Sequence, residues 1–219
     1  MLAQLKGSAA NWLGFLSAVV ITVVGVIYAV ALAILAVTGQ FVMPPSQPVQ
    51  LFGAVVTILI APLLVVLLAC VHQDTPDARR VYSLCALAFT VLFAAMVSIN
   101  RYVQLTVVQQ GLMHGTVETL EPFLPYGSNS VMFSLEILGW GFFLSLASLC
   151  VAPVFAGKGI ERWLRGLFIT YGLLGLTGAL GLVLASPISA VGFVAWGPVL
   201  DAITALLAVW FWRRIQTGE

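Results

Sequence analysis

Apolar residues run along this chain in long blocks, broken by short polar stretches. Six blocks, at about 12–38, 51–71, 81–107, 130–156, 162–185 and 188–212, predict helices. Each is long enough, at about 1.5 Å per residue, to cross a hydrocarbon core of about 30 Å. The first block exceeds the roughly 7–15 apolar residues of a signal peptide. It reads as a retained span that also targets the chain. The pattern predicts an all-α fold: a polytopic transmembrane bundle of six spans, forming one domain over 1–219.

Composition agrees. Of 219 residues, 61% are hydrophobic and 8% charged, against about 25% charged in a soluble domain. The net charge of +1 offers no basic stripe for phosphates, so no nucleic-acid partner is expected.

The few charges sort by side. Lys6, Arg79, Arg80, Lys158, Arg162, Arg165, Arg213 and Arg214 flank alternate ends of the blocks. The intervening loops 39–50, 108–129 and 186–188 contain no Lys or Arg. The positive-inside rule then predicts cytoplasmic N and C termini in a cell membrane. The exterior loop 108–129 carries His114, Glu118 and Glu121. Pro122 and Pro125 within it oppose regular helix, and Gly127 and Asn129 mark a turn into the fourth span. Ser128 or Asn129 is the expected cap of that span. The loop has the length of a connector or of a short lid. The stretch Met43-Pro44-Pro45-Ser46-Gln47-Pro48 predicts a stiff extended turn.

Pro62 and Pro198 fall inside spans, and each is expected to free the carbonyl four residues earlier, at Ile58 and Val194. Gly172, Gly175, Gly178 and Gly181 form a small-residue face, expected to pack within the bundle. Cys70, Cys85 and Cys150 suggest small buried side chains and no disulfide. Spans 1–3 and 4–6 would have opposite orientation, the layout of an inverted repeat.

Chemistry is concentrated in three ionisable residues inside apolar blocks. A charge at the centre of a membrane helix costs roughly 2.5–3.5 kcal/mol on insertion scales. Arg101 lies 21 residues beyond Arg80, about 30 Å of helix, near the outer boundary. Glu136 lies about 10 Å into the fourth span from the same side. The two are at comparable depth on consecutive helices, which predicts an ion pair. The alternative for Arg101 is snorkelling to headgroups. Asn100 and Gln104 share an i, i+4 face beside Arg101, and with Tyr102 they are expected to extend the pair into a network. Asp201 is near the midplane, three residues after Pro198. It reads either as a proton- or cation-coupling group or as a neutral acid on a carbonyl such as that of Val194.

Other chemistries lack their residues. No span holds a lysine for a Schiff base, and His72 and His114 fall on opposite sides, so they cannot jointly ligate a haem. No Cys or His cluster has metal spacing, no Ser–His or Cys–His pairing is suggested, and no phosphate-binding glycine loop occurs. No cofactor, metal or catalytic residue is therefore expected. The leading expectation is a small-solute or proton-coupled transporter or ligand-binding protein. In it Arg101 contacts an anionic group, Glu136 gates it and Asp201 couples protons. The alternative is a non-catalytic accessory or scaffold subunit of a membrane complex. An intramembrane lipid enzyme using Glu136 and His114 ranks below both. The expected partners are the bilayer, a small or amphiphilic ligand, and a second copy or another membrane subunit.

Overall fold

The computed structural model describes residues 2–40, 42, 45–115, 118–126 and 130–218, with the backbone alone at 2–8, 118 and 119. Met43, Pro44 and Gly127 to Asn129, on which two loop expectations rest, lie outside the described residues. The described residues are helical and loop, with no strand. Among the described residues, six helices are long and apolar enough to cross a membrane: span 1 (Ala9–Val37), span 2 (Gln47–Gln73), span 3 (Asp77–Met113), span 4 (Val131–Val154), span 5 (Ile160–Val183) and span 6 (Pro187–Thr217). The helix containing span 1 begins at Leu2.

Span 3 runs past the expected boundary at 107. A wide turn at Gln104–Val108 carries it onward, and nothing breaks the helix before Gly115, at φ +73°. The connection to span 4 is correspondingly shorter. Span 4 is capped by Ser130, whose hydroxyl accepts the Phe133 N–H at 3.0 Å. That hydroxyl also donates to Leu124 O, tying the cap to the loop before it.

Consecutive spans pack side by side, and span 6 returns against span 1, so the six form a ring in chain order. Spans 1 and 6 run antiparallel. Phe211 fills the place of a Gly14 side chain, Thr22 meets Thr204 at 2.8 Å, and the Asp201 carboxylate rests on Gly25. Trp12 and Trp212 meet edge-on at 6.0 Å, so the first turns of span 1 and the last turns of span 6 lie at one end of the ring. At that end Arg214 pairs with Asp74 at 3.2 Å and lies over the Trp210 ring at 4.2 Å. Arg79 donates to Val154 O at 3.3 Å there.

The ring centre is filled by Leu64, Leu67, Phe93, Leu144, Phe168, Ile203 and Leu207. A cavity of about 20 Å³ remains there, room for about one water.

Three spans contain a π-helical segment: Gln104–Val108, Leu138–Phe143 and Ala195–Val199. The last surrounds Pro198 and corrects the expectation of a freed carbonyl at Val194. In a π turn each carbonyl pairs with the N–H five residues on, so Val194 looks past Pro198 to Val199. The next bond of this kind runs from Leu200 N to Ala195 O. Pro62 sits inside a continuous α-helix, Gln47–Gln73.

Gly172, Gly175, Gly178 and Gly181 of span 5 are buried. A spacing of three residues shifts each about 60° around the helix, so four of them divide between two neighbours. Gly172 and Gly175 lie against Ser145 and Gly141 of span 4, and Gly178 and Gly181 against Gly192 and Ser189 of span 6. Cys70 is buried, Cys150 half-buried and Cys85 exposed, and all three are free thiols. Burial thus fails for Cys85, whose face of span 3 turns outward.

Candidate functional site

The site is built on the face where spans 3 and 4 meet. Asn100 and Gln104 are one helical turn apart and both are buried, at 1% and 3% exposure. Their shared face turns Arg101 partly inward, and its guanidinium reaches across to span 4. Arg101 Nη2 pairs with Glu136 Oε1, with each side chain 11% exposed. Arg101 Nη1 donates to Gln104 Oε1 at 2.8 Å. Gln104 Nε2 in turn reaches Gln50 O of span 2 at 3.5 Å.

Glu136 is the hub. Asn100 Nδ2 donates to its Oε2 at 2.6 Å and to Met132 O at 2.9 Å. Trp140, one turn further along span 4, donates Nε1–H to Oε1 at 2.9 Å. The carboxylate therefore accepts from three side chains on two helices. A desolvated ion pair is tolerable only with such additional bonds, and they hold both charges in one geometry. Among the described residues, two buried polar atoms at the cluster find no hydrogen-bond partner, Asn100 Oδ1 and Arg101 Nε.

Two phenols complete the surroundings. Tyr28 of span 1 and Tyr126 of the 114–130 connection lie within electrostatic reach of Arg101, Glu136 and each other. Tyr28 crosses toward span 2, packing on Phe52 at 6.0 Å between ring centres. Burial pushes the Tyr126 phenol above its ordinary pKa, Tyr28 adds to the rise, and Arg101 opposes it. The connection folds onto the bundle through a 3₁₀ turn at Glu118–Phe123. Leu120 occupies the space over Gly111, and Tyr126 approaches Phe133 at 6.1 Å.

Sequence-predicted residues divide clearly. The structure joins Arg101, Glu136, Asn100 and Gln104. Tyr102 is 66% exposed and points away, because it is one residue, about 100° of helix, beyond Arg101. Asp201 stands apart, at the seam of spans 1 and 6. No donor reaches its carboxylate among the described residues, and no bond joins it to a Val194 carbonyl. His114 is exposed and makes no contact with Glu136, so the two do not assemble an acid–base pair. Among the described residues no three His, Cys, Asp or Glu side chains converge as metal ligands.

Trp140 was within reach of sequence reasoning, since it follows Glu136 by four residues on one helix. Tyr28, Tyr126 and Gln50 carry no such local signal. Comparison with known protein families, characterised proteins and solved structures found no match.

Proposed function

We propose that this chain is an accessory or scaffold subunit of a membrane complex. The closure of the Arg101–Glu136 cluster carries this reading. The Glu136 carboxylate accepts from three side chains, the two terminal nitrogens of Arg101 donate to Glu136 and Gln104, and both charged side chains are 11% exposed. The central cavity, at about 20 Å³, is too small for a solute. Such a cluster works as a clamp that fixes spans 2, 3 and 4 in register. In this reading the charge pattern sets both termini in the cytoplasm of a cell membrane. Mild solubilisation followed by native mass measurement is expected to recover the chain with other membrane subunits. Recovery as a stable lone monomer would overturn the reading.

A second reading, as a small-solute or proton-coupled transporter, has its own support. Each π segment lies within three residues of an ionisable one, Arg101, Glu136 or Asp201. Such segments are frequent at functional sites. In this reading the unpartnered Arg101 Nε–H donates to an anionic group, and Asn100 Oδ1 accepts from a donor of an amphiphilic ligand. In liposomes, Asp201→Asn is expected to abolish proton-dependent flux. Unchanged flux would remove Asp201 from the coupling role.

A further inference from the structure

Asp201 is the one mid-span carboxylate, among the described residues, that the fold leaves without a donor. It lies 14 residues from Pro187 and 16 from Thr217, about 21 and 24 Å along the helix. A side chain so short cannot reach either boundary of a core about 30 Å thick. It is half-buried, with one oxygen pressed on the bare backbone of Gly25. The nearby hydroxyls are committed elsewhere. Thr22 donates to Ala18 O or Thr204, and Thr204 to the carbonyls of Leu200 and Asp201.

The surface beside it is open. Gly197, one turn before Asp201 on the same face, has empty space where a side chain would begin. Pro198 is exposed, as are Phe193 and Val194 at 52% and 47%. A small residue beside exposed apolar ones lets a second helix approach closely. The chain itself cannot supply the missing cation. Among the described residues Arg101 is the only basic side chain far from the ends of the spans, and Glu136 holds it. A second copy would therefore bring no free positive charge to this depth.

We propose that Asp201 and the Gly197 notch dock a transmembrane helix of a different membrane protein, one that presents a Lys or Arg at mid-depth. Charge complementarity selects the partner, because a carboxylate in hydrocarbon is best satisfied by a cation with N–H donors. The inference rests on the accessory-subunit reading and names the chemistry of its partner.

The test uses the full chain in nanodiscs with a labelled Leu/Ala-rich transmembrane peptide carrying one central lysine. The same peptide with leucine or glutamate at that place is the control. Energy transfer is expected to show about tenfold tighter association of the lysine peptide. Asp201→Glu should keep the preference, Asp201→Asn should erase it, and Gly197→Leu should weaken association. The glutamate variant guards against a loss due to misfolding. Equal binding of the lysine and leucine peptides, or a preference that survives Asp201→Asn, overturns the inference. Native mass measurement separates this from the broader reading. A complex without lysine preference sinks the docking chemistry alone, and a lone monomer with lysine preference sinks the subunit reading alone.

Discussion

Glu136 shows how a single side chain decides its surroundings. A short carboxylate some 9 Å into a helix must find donors, and Arg101, Asn100 and Trp140 supply them. Removing one partner leaves the other charge buried alone, which costs about 3–5 kcal/mol. Arg101→Ala and Glu136→Ala are each expected to lower thermal stability in detergent by that order. The double replacement with leucine is expected to recover most of the loss, since apolar packing substitutes well for a buried pair. A double variant as unstable as the two single losses added together would show that the residues act independently. The pair was legible in the sequence, because depth follows from position and both charges had the same depth. The failure at Tyr102 has an equally plain cause, since adjacent residues on a helix face different ways.

At the scale of the element, span 5 illustrates what spacing alone conveys. Four glycines at intervals of three announce close packing, but the neighbours they meet depend on how the helix is turned. Gly178 faces the backbone of Gly192, whose Cα lies 2.6 Å from where an added methyl would sit. Backbone cannot step aside, so Gly178→Ala is expected to destabilise by about 1–3 kcal/mol. Gly166 in the same helix has open space around it, and Gly166→Ala is expected to stabilise by up to about 1 kcal/mol. Thermal unfolding of the two variants side by side checks the contrast, and similar shifts in both would remove the packing explanation. The π segments were not legible. Pro198 marks one of them, but nothing in the residues around Gln104 or Leu138 distinguishes a wide turn from an ordinary one.

Across the whole molecule, closure of the ring joins residues far apart in sequence. Arg214 and Asp74, 140 positions apart, meet at the end that carries the termini. Burial raises the Asp74 carboxyl above its ordinary pKa, and Arg214 only partly offsets the rise. The folded protein therefore holds its proton to higher pH than the unfolded chain does. Stability from this group is present below the ordinary carboxylate pKa and is lost as pH rises through the raised folded value. Melting profiles of the wild type and Asp74→Asn, compared from pH 4 upward, are expected to converge in slope once this window is passed. Within it the wild type should lose stability relative to the variant. The opposite sign would mean that the Arg214 pairing outweighs the burial.

The sequence by itself determined the six spans, the gathering of basic residues at alternate ends and the shared depth of Arg101 and Glu136. These follow from lengths of apolar runs and from the cost of a charge in oil, both readable along one dimension. Only the tertiary structure decided that Trp140 and Asn100 complete the carboxylate's shell, that Tyr28 and Tyr126 gather around it, and that Asp201 rests unpartnered on Gly25. Those outcomes depend on the rotation of each helix about its own axis, which packing among all six spans sets together.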